Sequence, residues 1–326
     1  MLSTSIFSIQ NNSDFEQVAL KIFHHQYINT KIYQRFCNLL GVTKTSVKHL
    51  EDIPFLPIEF FKQEKIVSST LSPQQIFTSS GTTGSVASKH YVTDLNIYEK
   101  SFRKGFKHFY GDITQFTVLA LLPSYLERKG SSLVYMAEEL IKDSSQPRSG
   151  FYLYDTENLV SILRTLVSEN KKAILLGVSF ALLDLIEQHS ISLNENIIVM
   201  ETGGMKGRRK ELIRHELHDA LKNGFGVSKI HSEYGMTELL SQAYSKGDSS
   251  FSCPPWMKVM VRSPEDPLSF LATGKTGGIN VIDLANINSC SFIATQDLGK
   301  INPDGSFQVL GRFDNSDIRG CNLMAL

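Results

Sequence analysis

The sequence predicts an α/β fold, and three observations predict it. From residue 116 to 232 short apolar runs alternate with amphipathic helical periods, the pattern of βαβ units on a parallel sheet. The runs are near-continuous: residues 116–122 read FTVLALL, as a strand buried on both faces requires. Past Gly235 the segments turn short, β-like and separated by Gly, Pro, Asn and Asp. That change predicts a smaller, more antiparallel β region packed on the α/β part. At 326 residues the chain has length for one large domain or two ordinary ones.

The elements follow in order. Ser13 and Asp14 are candidate caps for a helix running to about Leu40, with Phe15, Val18, Ala19, Ile22 and Phe23 on one face and Gly41 as its stop. Pro54 and Pro57 interrupt regular structure. Asp94 opens a second amphipathic helix whose Leu95, Tyr98, Phe102, Phe106 and Phe109 form a core-facing stripe ending near Gly111. Strand 116–122 leads to helix 133–141, a short strand at 151–154, helix 157–169, strand 172–177, helix 180–189, strand 197–200, helix 210–222 and a strand near 229–232. Later strands are predicted at 257–262, 278–283, 291–295 and 307–310.

Composition narrows the function classes. Lys+Arg and Asp+Glu both number 33, so the zero net charge argues against a uniformly basic nucleic-acid surface. No run of about 18 apolar residues predicts a transmembrane helix, and the first residues lack the basic and apolar regions of a signal peptide. Cys37, Cys253, Cys290 and Cys321 are widely spaced, which predicts neither a disulfide framework nor a zinc site. The expected compartment is the cytoplasm.

Four short constellations carry chemistry. Ser79, Ser80, Gly81, Thr82, Thr83 and Gly84 follow an apolar run and precede Lys89. Glycines let the backbone approach an anion, and successive N–H groups with hydroxyls form an anion cradle. The spacing is not that of a Walker loop, and the hexapeptide alone also suits a polar surface turn. Gly203 and Gly204 follow a predicted strand, where open α/β sheets bind ligands and a flat base can lie against backbone. Tyr234, Gly235, Thr237 and Glu238 follow another strand. They supply a ring to stack, a hydroxyl donor and a carboxylate for a hard cation such as Mg²⁺. Asp297 suits a ribose diol, and Arg312 suits sugar or phosphate. Weaker motifs are set aside. Gly274-Lys275-Thr276 lacks the first Walker glycine, Gly177–Ala181 only approaches a nucleophile elbow, and His24, His25, His215 and His218 lack ligand-spaced acidic partners.

Taken in order, the loop, the glycine pair, Y-G-x-T-E, the late Asp and G-R-x-D resemble the acyl-adenylating superfamily of acyl-CoA ligases, luciferases and peptide-synthetase adenylation domains. The resemblance spans about residues 77–320. Within it, LPIEFFK, SSGTTGSVAS, LLPSYLERKGSSLVYM and GRFDNSDIRGC are most similar to the acyl-protein synthetase of the bacterial bioluminescence fatty-acid reductase. The resemblance implies one adenylate-forming domain. Its parts are a helical 1–75, a nucleotide-binding α/β core at 76–240, a β-rich 241–312 and a tail at 313–326. It further implies ATP and Mg²⁺ as cofactors, with the Thr82 loop on the phosphates, Gly203, Gly204 and Tyr234 about adenine, Thr237 at the α-phosphate, Glu238 on Mg²⁺, and Asp297 with Arg312 on ribose.

Three departures from the superfamily stand out. Lys89 lies two positions later than the usual loop lysine, Gln296 replaces the glycine of T-G-D, and the chain stops where a mobile lysine-bearing domain would begin. The resemblance makes Cys321 the acceptor of the acyl group, beside Arg319, a cation that favours thiolate. An ordinary buried cysteine is the alternative there, and the other three cysteines read as structural. The expected activity is ATP-dependent activation of a fatty acid or similar carboxylate to acyl-AMP, then transfer to Cys321 for a partner acyl reductase of the acyl-CoA-reductase type. Two alternatives stay open: a CoA ligase or acyltransferase that leaves Cys321 idle, and a nucleotide- or acyl-binding module without turnover.

Overall fold

The computed structural model describes residues 5–68, 70–79, 86–123, 130–203 and 212–313 of the chain. Its first long helix, α1 (Asn12–Asn29), is capped by Asn11, whose side chain accepts from the Asp14 amide at 2.9 Å. The cap therefore lies upstream of Ser13. The helix predicted to reach Leu40 breaks at Thr30, and α2 (Lys31–Leu39) follows. Neither glycine nor proline causes the break. Thr30 is buried with its hydroxyl on the Ser289 carbonyl at 3.3 Å, and Gln26 of α1 donates to the Asn286 and Ile287 carbonyls. Buried hydrogen bonds to a distant segment outweigh continuing the helix.

Just past Pro54, β1 (Leu56–Pro57) pairs in parallel with Ile293 and Ala294, a short strand where the prolines predict none. A four-residue helix, α3 (Phe60–Gln63), comes next. Strands β2 (Gln75–Thr78) and β3 (Lys89–Val92) then form a separate antiparallel pair with Thr78 opposite Lys89. The glycine-rich loop is thus the connection of a hairpin. Helix α4 (Leu95–Tyr110) starts as predicted, with the Asp94 carboxylate accepting from the Asn96 amide at 3.1 Å. Its Tyr98, Phe102 and Phe106 are buried in the core. Burying each such ring contributes roughly 2–3 kcal/mol, enough to dictate which face turns inward.

Strands β4 (Thr117–Leu121), β5 (Gly150–Phe151), β6 (Ala173–Val178), β7 (Ile197–Thr202) and β8 (His231–Tyr234) form the parallel part, in the order β5-β4-β6-β7-β8. The intervening helices are α5 (Ser132–Ser144), α6 (Thr156–Ser168), α7 (Ser179–Gln188) and α8 (Arg214–Phe225). Every residue of β4 and β6 is buried, as their unbroken apolar runs predict. The predicted start of α8 at Lys210 lies outside the described residues.

The β-rich part differs from its prediction. It does not pack on the parallel sheet but extends it edge to edge. Strand β9 (Ala243–Ser245) pairs antiparallel with β8, followed by β10 (Phe251–Ser252), β14 (Phe307–Arg312), β13 (Phe292–Ile301), β12 (Gly277–Asp283) and β11 (Met257–Arg262). With β1 the sheet holds 12 strands among the described residues. The links β9 and β10, of 3 and 2 residues, are too short to show a periodicity. None of the described helices is long and apolar enough to cross a membrane.

Candidate active site

The parallel strands β6, β7 and β8 end on one edge, and the residues just past them form the floor of the candidate site. Gly203 leaves β7 with φ +68°, a conformation that side chains with a Cβ rarely adopt. Its carbonyl accepts from the Ser179 hydroxyl at 3.0 Å, and Ser179 also reaches Glu201 at 3.3 Å. Ser179 is only 2% exposed, so the near-match to a nucleophile elbow is a buried tether. Beneath it Glu201 pairs with Arg214 at 2.6 Å and with His218 at 3.5 Å. Burial pushes the Glu201 carboxyl up, but His218, Arg214 and Ser232 outweigh it and hold it below the usual carboxylate range.

On the next strand, Glu233 is buried against Thr202, whose hydroxyl donates to it at 2.5 Å. Burial, opposed by that hydrogen bond and reinforced by Glu201, pushes its carboxyl up to about 7. A Cβ on Gly235 would meet a Glu233 carboxyl oxygen, which would have to shift to admit it. Tyr234 packs its ring at 5.8 Å from Phe251 and 5.4 Å from Phe307. Its hydroxyl donates to Asp297 Oδ2 at 2.8 Å, while Arg312 Nε donates to Asp297 Oδ1 at 3.1 Å. The Asp297–Arg312 contact is built by register, since the two residues face each other across β13 and β14. Burial and the neighbouring Asp297 hold the Tyr234 phenol well above its ordinary value, so the hydroxyl stays a donor.

The Thr237–Glu238 segment comes from the chain just beyond β8. Glu238 is 5% exposed, and burial raises its carboxyl despite a hydrogen bond from Ser88 and the more distant charges of Arg312 and Lys62. Ser88, near this carboxylate, is joined to the far side of the glycine-rich hairpin. Its amide donates to Ser79 Oγ at 2.9 Å, and its carbonyl accepts from the Ser79 amide at 3.1 Å. Next along β3, His90 Nδ1 lies 2.9 Å from the Thr237 carbonyl, and Asn286 Nδ2 donates to the Glu238 carbonyl at 2.7 Å. Strand alternation puts Lys89 on the exposed face opposite His90.

Of the residues singled out in the sequence, Ser79, Gly203, Tyr234, Gly235, Thr237, Glu238, Asp297 and Arg312 thus belong to connected pieces of structure. Ser80, Gly81, Thr82, Thr83, Gly84, Gly204 and Cys321 lie outside the described residues. Ser131 caps α5 through the Val134 amide at 3.3 Å, and the Ser132 carbonyl accepts from Tyr98. His231 stands at the start of β8, three residues from Tyr234, against the Tyr110 hydroxyl at 3.2 Å. Burial keeps it neutral, its value lowered to about 4. Cys37 and Cys290 are buried, and burial pushes the Cys37 and Cys253 thiols up to about 12, consistent with structural roles. Among the described residues no three His, Cys, Asp or Glu side chains group as a metal site. A magnesium ion carried in with nucleotide phosphates needs only one or two protein carboxylates, and the buried Glu238, unpaired by any ion pair among the described residues, fits that need.

Sequence reading missed Ser88, His90, Glu233 and Asn286. His90 left a faint signal, because the alternation in Lys89–Val92 after the loop marks a strand with one inward face. Glu233 and Asn286 touch partners 31 and 48 residues away, and no local pattern points to them.

The sequence profile of the acyl-protein synthetase family LuxE matches residues 5–325. A comparison with curated proteins gave no match. Among solved structures, 2-hydroxyisobutyryl-CoA ligase in complex with 2-HIB-AMP and CoA is similar at 13% identity and TM-score 0.70, over 94% of this chain and 70% of that one. ATP-bound MatB from Rhodopseudomonas palustris is similar at 17% identity and TM-score 0.54, over 73% of this chain and 47% of that one. The chain thus spans about half the length of the MatB structures it matches, and at these identities the likeness shows the fold.

Proposed function

The chain belongs to the LuxE acyl-protein synthetase family, and from that premise we propose that it activates a fatty acid or similar carboxylate with ATP and transfers the acyl group to its own Cys321. The observation that carries the reading is the hydrogen bond from Tyr234 to Asp297, 63 residues apart, with Arg312 on the other carboxylate oxygen. It joins two widely separated motif pieces, and the chain runs from Tyr234 directly into the Thr237–Glu238 segment.

The first step is displacement at phosphorus. The substrate carboxylate oxygen attacks the α-phosphorus of ATP, the bond from that phosphorus to the α,β-bridging oxygen breaks, and pyrophosphate leaves with the electron pair. The product is a mixed anhydride, acyl-AMP, with a good leaving group on the carbonyl. In this reading the 79–84 loop holds the phosphates, Gly203 and Gly204 border the base, Asp297 and Arg312 hold the ribose, and the Thr237 hydroxyl donates to the α-phosphate. Glu238 would hold Mg²⁺, which neutralises phosphate charge. Tyr234 holds Asp297 through Oδ2 and so fixes the orientation of its carboxylate.

In the second step the Cys321 thiolate attacks the acyl carbonyl. A carbon–sulfur bond forms, the carbon–oxygen bond to AMP breaks, and AMP leaves with the electron pair. The thioester is then a substrate for a partner that reduces it, the acyl-CoA-reductase-type enzyme.

Incubation with ATP, Mg²⁺ and fatty acids of graded length, read by intact mass, tests this. The expected result is one acyl adduct, cleaved by hydroxylamine and lost in Cys321→Ala. An adduct that persists in that variant removes Cys321 from the scheme, and acyl release that requires added CoA makes the chain a CoA ligase instead.

A further inference from the structure

We propose that His90 and Asn286 are positioning residues that lock the main chain of Thr237 and Glu238, so that hydroxyl and carboxylate meet the nucleotide as one rigid pair. The inference rests on the adenylating function proposed above and deepens it.

The two carbonyls concerned are consecutive, and each is taken by a buried side chain from a different element. The Thr237 carbonyl can only accept, so His90 Nδ1 carries the hydrogen, at 2.9 Å. The Glu238 carbonyl is met by Asn286 Nδ2 at 2.7 Å. Turning the Asn286 amide over would set oxygen against oxygen, so its orientation is dictated. His90 is 1% and Asn286 0% exposed, so both donors are fixed by the packing around them. The next turn is held likewise: Asp283 accepts from the Leu240 amide at 2.7 Å and the Ser241 amide at 3.0 Å.

His90 has a further consequence. It lies on β3, the strand that leaves the glycine-rich hairpin, one residue past Lys89 and two past Ser88. Ser88 is hydrogen-bonded to Ser79 through both its amide and its carbonyl. His90 therefore ties the strand that leaves the loop to the Thr237–Glu238 segment. A purely packing role for His90 would rest on its edge contact with Phe61, ring centres 5.8 Å apart. An apolar side chain of similar size would reproduce that contact and not the hydrogen bond. Misplacing reacting groups by about 1 Å costs roughly 100-fold in rate, so a donor lost here is expected in turnover rather than in binding.

The test uses the full chain and carboxylate-dependent exchange of labelled pyrophosphate into ATP, with thermal melts alongside. His90→Leu and Asn286→Leu remove one donor each at similar volume. His90→Asn restores an N–H at the Nδ1 position, and His90→Gln places it too far along. Expected are kcat losses of about 10- to 100-fold in both Leu variants and in His90→Gln, with KM for ATP nearly unchanged. His90→Asn is expected to recover to within several-fold of the parent. If His90→Leu fails to fold, the Asn/Gln pair and Asn286→Leu decide the matter. Parent-like kcat in the Leu variants, or equal rates for His90→Asn and His90→Gln, overturns the positioning role alone. A parent chain without exchange overturns the adenylating function and the positioning role with it.

Discussion

Replacing Glu233 by Gln isolates the cost of ionising a carboxyl inside the sheet. Glu233 is 8% exposed, its one strong partner is the Thr202 hydroxyl, and it forms no ion pair among the described residues. Burial, first, and then Glu201 raise its value from 4.5 to about 7. A carboxyl whose folded value is raised stabilises the fold fully below about pH 4.5, and that contribution is lost as pH rises through about 7. At ~1.4 kcal/mol per pH unit the window amounts to about 3 kcal/mol. Gln keeps the acceptor for Thr202 and cannot ionise. Glu233→Gln is therefore expected to be close to the parent at pH 4.5 and more stable by up to about 3 kcal/mol at pH 8. Urea unfolding of both proteins at half-unit intervals measures the difference. His90 and His231 titrate with the opposite sign but are common to both chains, so they cancel in the comparison. A difference that does not change with pH, or a variant less stable at pH 8, refutes the reasoning.

Three further outcomes are expected. Gly235→Ala forces a Cβ onto the Glu233 carboxyl and against Gln242 Cγ at 3.4 Å, and should cost about 1–3 kcal/mol in a denaturant melt; an unchanged midpoint rejects the packing argument. Asp297→Ala leaves the buried Tyr234 hydroxyl without its acceptor, costing about 1–3 kcal/mol, and should raise KM for ATP by about tenfold or more; unaltered nucleotide affinity removes Asp297 from the ribose site. Burial lowers His90 and His231 from 6.5 to about 4, so the unfolded chain binds protons the fold refuses, and stability should fall as pH drops from 6.5 toward 4. His231→Gln should flatten part of that slope, and an unchanged slope would mean His231 is protonated in the fold.

Much of the architecture was legible because it depends on local periodicity. The apolar runs of β4 and β6, the cap at Asp94 and the aromatic stripe of α4 follow from side-chain spacing within one element, and the structure contains each of them. Errors arose where a distant partner decided. Thr30 breaks a helix because Ser289 offers it a buried carbonyl, and β9 and β10 exist because β8 and β14 flank them.

By itself the sequence determined the alternation of strands and helices, the places where the chain leaves the strands, and the residue types set there: glycines and hydroxyls, an aromatic ring and a carboxylate. These are matters of spacing and of chemistry carried by single residues. Only the tertiary structure decided that Asp297 and Arg312 face one another, that Tyr234 turns its hydroxyl to Asp297 rather than to solvent, and that His90 and Asn286 hold the carbonyls of Thr237 and Glu238. The physical reason is that a buried polar group must find a partner, and which partner it finds depends on the packing of segments that no local pattern relates.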